Sequence, residues 1–142
     1  MSAKFFLDTN IILYAVEGLP ASKAEVAEEL LFRGIKDGSG VISYQVVQEC
    51  LNAVLKKARL ALSAPDARDL LRDTLEPLCK AFPASTALYE EALALHGRYK
   101  YSFYDSLIIA AALEAGCDLL YSEDLHHDQT IGRLRIVNPF VT

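Results

Sequence analysis

The chain has 142 residues, 52% of them hydrophobic, and a net charge of −5. Its length suits one compact domain spanning residues 1–142, and its composition excludes a disordered chain. The acidic balance argues against a protein that coats DNA with a basic surface.

Lys4 to Leu7 reads as a short buried strand, and Thr9 to Val16 turns helical. Ala21 to Lys36 is an amphipathic helix closed by Asp37-Gly38, with glycine where helices commonly end. Val41 to Ser43 is a second short strand. In the helix Tyr44 to Arg59, the residues Val47, Leu51, Val54, Leu55 and Ala58 share one apolar face. Pro65 suits a helix start, which Asp66 to Leu75 continues. Cys79 to Phe82 is a candidate third strand, and Thr86 to Tyr99 is helical. Asp105 to Ala115 is a nearly all-apolar helix closed by Gly116. Leu119 to Tyr121 and Leu134 to Val137 are the last strands. Strands separated by helices imply an α/β fold, a short parallel sheet flanked by helices in three α/β/α layers.

The longest apolar run, Leu107 to Leu113, is too short to cross a bilayer. The opening MSAKFFLDTN carries a carboxylate directly behind its apolar stretch, unlike a secretory signal. Cys50, Cys79 and Cys117 have no paired spacing and lie in apolar contexts. They read as buried, reduced thiols of a cytoplasmic protein.

Four acids stand at the edges of these elements: Asp8, Glu49, Asp105 and Asp124. Ligands bind open α/β sheets at the carboxyl ends of the strands. Asp8 follows the first strand directly, Asp124 follows a later one, and Asp105 opens a helix, so three acids belong on one rim. Each also has a plainer reading. Asp8 suits a helix N-cap. Glu49 shares a polar helix side with Gln45, Asn52 and Lys56. Asp105 completes a capping-box spacing with Ser102. Asp124 lies in the polar run SEDLHHD, whose adjacent histidines, His126 and His127, lack the partners of a zinc site.

The segments LDTNIILYA, YDSLIIAAAL, SEDL and RIVNPF occur in an order and spacing that resemble the PIN domain. Together they are most similar to its VapC-like toxin branch. The resemblance implies an α/β/α sandwich with an acidic cluster at one end of the sheet. It identifies Asp8, Glu49, Asp105 and Asp124 as the catalytic and metal-binding acids, with Asn10 and Ser122 as supporting polar residues. It implies Mg²⁺ or Mn²⁺ as cofactor, one or two ions, and RNA as substrate. It also implies a homodimer and a small antitoxin that blocks the cleft. The chain departs from the family where SEDLHHD replaces a Thr-x-Asp-x-Asp-Phe pattern. Ser122 replaces the threonine, and His126 stands where a second aspartate is common. Glu123 and Asp128 are then the open candidates for a fifth acid.

Carboxylates about 6 Å apart repel by roughly 2–3 kcal/mol per ionised pair at an effective dielectric near 20. Four together would cost on the order of 10 kcal/mol, comparable to a domain's whole stability. A hard divalent cation relieves that repulsion and leaves room for a phosphate oxygen and a water. The expected activity is metal-dependent endonucleolytic hydrolysis of RNA, as the toxin of a toxin–antitoxin pair. Lys56, Lys57 and Arg59 could hold the phosphate backbone, or simply form a solvated helix end. Two alternatives remain: a phosphatase with Asp8 as nucleophile, and a non-catalytic PIN-type module that binds RNA or protein. Asn10 speaks against the first, since such phosphatases normally carry an acid two residues after the nucleophile.

Overall fold

The computed structural model describes residues 3–56 and 61–141. Its strands are β1 (Phe5–Leu7), β2 (Gly40–Val41), β3 (Leu119–Tyr121), β4 (Thr130–Ile131) and β5 (Leu134–Val137). Its helices are α1 (Thr9–Glu17), α2 (Ala21–Lys36), α3 (Tyr44–Lys56), α4 (Ala64–Leu70), α5 (Glu76–Leu78), α6 (Thr86–Tyr99) and α7 (Phe103–Glu114). A wider π-helical turn, Leu71–Leu75, joins α4 to α5. It lies just before Pro77, which has no N–H to continue a regular ladder.

The strands form one sheet in the order β2-β1-β3-β5-β4. The β1, β2, β3 and β5 pairings are parallel. Successive side chains of a strand point to opposite faces. Phe5, Phe6 and Leu7 are nevertheless all buried, so helices cover both faces of the sheet at β1. This is the expected three-layer α/β/α arrangement. Helix α7 is apolar on every side, as expected, with Ile108 to Ala112 all buried. Its main neighbour is α6.

Several details differ from the expectation, among them β2, which is Gly40–Val41 rather than Val41 to Ser43. The sheet is not wholly parallel, because β4 pairs antiparallel with β5 at one edge. Cys79 to Phe82 forms no strand; Cys79 makes only an isolated bridge to Ile42. The buried face of α3 is Val46, Cys50 and Val54, with Val47 and Leu51 half-buried and Leu55 exposed. Residues Lys57, Ala58 and Arg59, expected to extend that helix, lie outside the described residues.

Helix α2 and strand β2 meet through two glycines. A Cβ on Gly40 would fall 2.8 Å from the Gly34 Cα and 2.8 Å from the Leu78 Cδ2. The Gly34 backbone cannot swing aside as a flexible side chain would. Gly40→Ala is therefore expected to cost about 1–3 kcal/mol of stability through overpacking, read from the urea midpoint.

Candidate functional site

Strands β1 and β3 are adjacent and parallel, so both release the chain at the same edge. Asp8 leaves β1 with its N–H donating to the Tyr121 carbonyl at 3.1 Å. It then caps α1, with extended backbone at φ −72° and ψ 160°. Its Oδ1 accepts from the Thr9 N–H at 2.7 Å, and its Oδ2 accepts from the Ser122 hydroxyl at 2.8 Å. The cap and the site are thus the same residue, using different oxygens.

The other acids are fixed in the same way. The Asp124 N–H donates to Ser122 Oγ at 3.3 Å, and the Asn10 amide donates to Asp124 Oδ2 at 2.9 Å. Glu49 sits one turn along α3 from Gln45. Its Oε1 accepts from the Thr9 hydroxyl at 2.6 Å, and its Oε2 accepts from the Gln45 amide at 3.3 Å. Ser102 caps α7 by accepting the Asp105 N–H at 3.1 Å, which holds Asp105 in the first helical turn. There the helix dipole favours its ionised form.

The four acids predicted from the sequence all line one open cleft of about 280 Å³. Thr9, Asn10, Gln45, Asn52, Tyr104 and Ile108 complete its wall. Asn10 and Ser122 each bond one of the acids. Gln45 shares the polar side of α3 with Glu49, as its spacing predicts, and Thr9 belongs to the run of three polar residues that follows an apolar strand; neither was among the expected site residues. Glu123 and Asp128 do not line the cleft. Glu123 accepts from the Tyr14 hydroxyl at 2.5 Å and pairs with Lys23. Asp128 pairs with Arg135 at 2.6 Å.

The electrostatics are those of crowded anions. Burial pushes the Asp8 carboxyl up from 3.8 to about 6, against the Ser122 and Thr9 hydrogen bonds, with the charges of Glu49 and Asp105 adding to the rise. Asp105 is also raised, first by burial, then by the charges of Asp124 and Glu49, against its bond with Ser102. Behind the cleft the Cys50 thiol is pushed up to about 12, by burial and then by Glu49 and Asp8. No lysine or arginine among the described residues lines the cleft. Arg133 is occupied by Asp118 at 2.7 Å and Arg135 by Asp128.

An all-oxygen, anionic donor set suits a hard cation such as Mg²⁺ or Mn²⁺. Among the described residues, no three His, Cys, Asp or Glu side chains close tightly enough to form a ready-made metal cage. Neither His126 nor His127 lines the cleft: the His126 ring packs on Tyr101, and the His127 ring accepts the Asn138 N–H.

No functionally curated protein matches the chain by sequence. Solved structures do match its fold. One is a toxin–antitoxin complex from Klebsiella pneumoniae, at a TM-score of 0.67 and 20% identity, covering 97% of this chain and 98% of that one. Another is VapBC2 from Rickettsia felis bound to a DNA fragment from its promoter, at 0.65 and 19%, covering 93% and 96%. A third is VapC20 of Mycobacterium tuberculosis, a sarcin–ricin loop cleaving toxin, at 0.58 and 20%, covering 85% and 90%. The model of the PIN domain matches residues 5–132, from the first strand to the last turn of the sheet. The chain belongs to the PIN domain family.

Proposed function

We propose that the acid-lined cleft holds one or two Mg²⁺ or Mn²⁺ ions and that the chain hydrolyses RNA phosphodiester bonds there. We further assign it the role of toxin in a toxin–antitoxin pair. It would act in the cytoplasm as a homodimer, with a small antitoxin covering the cleft. The observation that carries the catalytic reading is the convergence of Asp8, Glu49, Asp105 and Asp124 on one cavity from residues up to 116 positions apart. The fold it shares with toxin–antitoxin components, including one named for cleaving the sarcin–ricin loop, supports the substrate and the partner.

In this reading Asp8 and Asp105 are the principal ligands, and Glu49 and Asp124 complete the set directly or through water. When bound, the cation supplies positive charge for the phosphate and a water acidic enough to attack it. The chain's own residues do the rest. Thr9 and Gln45 hold both oxygens of Glu49, and Ser122 and Asn10 hold Asp8 and Asp124. Such supporting bonds orient a carboxylate before the substrate arrives. The cleft is open, so an extended strand can cross it without threading.

The test is incubation of the protein with end-labelled single-stranded RNA in Mn²⁺, in Mg²⁺ or in EDTA. Internal cuts in either ion that disappear in EDTA are expected. Cleavage that persists in EDTA would contradict the reading. RNA binding without cleavage in any ion would favour a non-catalytic module.

A further inference from the structure

Beside the acid cleft lies a second groove, of about 430 Å³, that shares Gln45 and Tyr104 with it. Its size falls within the range of roughly 300–1,000 Å³ typical of small-molecule sites. Phe82, Tyr89 and Tyr104 stand along it with exposed rings, and no charged residue lines it. Its lining also includes two buried polar atoms that have no partner, Ser43 Oγ and Gln45 Oε1. Ser43 itself is only 6% exposed. The Gln45 amide cannot turn round to satisfy its oxygen. Its Nε2 faces two acceptors, Glu49 Oε2 and the Tyr104 carbonyl, each at 3.3 Å.

We propose that this groove takes an unpaired nucleobase of the RNA strand, next to the phosphate held in the acid cleft. This rests on the reading of the cleft as an RNA-cleaving site. The aromatic rings supply stacking surface, which every base can use. The Gln45 oxygen accepts an N–H from the base edge, and the Ser43 hydroxyl donates or accepts beside it. An apolar protein segment laid in the groove would leave both atoms unpaired, as they are in the free chain, and so offers neither of them a partner. A base edge fills them. Gln45 would then join the two sites, one end of its amide on Glu49 and the other on the base.

The test compares two substrates. Single-stranded RNA presents bases, whereas bis(p-nitrophenyl) phosphate is a diester without any. The Phe82→Ala/Tyr89→Ala double variant is expected to lose roughly ten-fold or more in kcat/KM on RNA, mostly in KM. Its rate on the small diester should stay unchanged, which a folding defect would not allow. Placing an abasic nucleotide in turn on each side of the cut should cost the wild type a similar factor at one position. The double variant should lose nothing further there, because the two changes remove the same contact. Equal losses on both substrates, or an unchanged RNA rate, would overturn the proposal while leaving the cleft reading intact. So would a double variant that turns a dimer into a monomer yet cuts RNA normally, since the groove would then be a contact between copies. If the wild type cleaves neither substrate, the cleft reading fails and this proposal falls with it.

Discussion

Asp8→Asn should abolish RNA cleavage, by about three orders of magnitude, and at the same time make the metal-free protein more stable. The loss follows from the chemistry. A ligated cation contributes several kcal/mol to a phosphoryl transition state, and about 4 kcal/mol is a thousand-fold in rate. The Asp8 carboxyl is buried more deeply than that of Asp105, and an amide is a far poorer cation ligand. The gain in stability follows from the same burial. A carboxyl moved from 3.8 to about 6 carries a penalty of roughly 3 kcal/mol when ionised at neutral pH. Asparagine removes that charge yet keeps an oxygen to accept the Thr9 N–H, and asparagine caps helices as well as aspartate does. A rise of roughly 5 °C in the metal-free unfolding temperature is expected by differential scanning calorimetry. A variant that loses both activity and stability would show that Asp8 serves the fold rather than the site.

The second large effect is the response to cations and pH. The folded-state values of Asp8 and Asp105 are raised, so the native state binds more protons than the unfolded chain in the window between them. Their contribution to stability is then fully present at low pH and is lost as pH rises through the folded values. For Asp8 that loss runs from about pH 3.8 to about 6 and is complete above it. Metal-free protein should gain about 1 kcal/mol from Asp8 between pH 7.5 and 5.5, before the other carboxylates begin to protonate. Glu123 works in the opposite sense. Its burial is outweighed by hydrogen bonds from Lys23 and Tyr14, so its value is lowered and its contribution fades only at more acid pH. A bound cation replaces the protons. Mn²⁺ at 100 times its dissociation constant should add about 2.7 kcal/mol at pH 7.5. The increment should shrink at pH 5.5, where Asp8 holds a proton instead.

Most long elements were legible because their signals are local. Helices α2 and α6 and strands β3 and β5 have the bounds their patterns predicted. The short pieces were not. Strand β4 has two residues, Thr130 and Ile131, too few for any alternation to register. Its one cue is Gly132, whose φ of +60° turns the chain back into β5. Strand β2 is displaced toward Gly40, because only glycine lets β2 approach Gly34 of α2 so closely. On α3, apolar residues from Val46 to Leu55 span a broad arc, and only the neighbouring elements decide which edge of it is buried.

The four acids were legible as a family pattern, each beside a structural role it could equally have filled. Asp8 does cap α1, and Asp105 does accompany the Ser102 cap of α7. What could not be read is the pairing behind them. Thr9 reaches Glu49 across 40 residues, and Asn10 reaches Asp124 across 114. Such partners become visible only once parallel β2, β1 and β3 bring their carboxyl ends together. The adjoining groove was equally hidden, since Ser43, Phe82 and Tyr104 come from three separate parts of the chain.

The central claim, that the four carboxylates form a divalent-cation site, is tested most directly by titrating Mn²⁺ into metal-free protein and following its unfolding temperature at pH 7.5. The wild type should rise by several degrees and saturate, while Asp8→Asn, starting higher, should rise far less. Identical shifts in the two proteins, or none in the wild type, would contradict the claim.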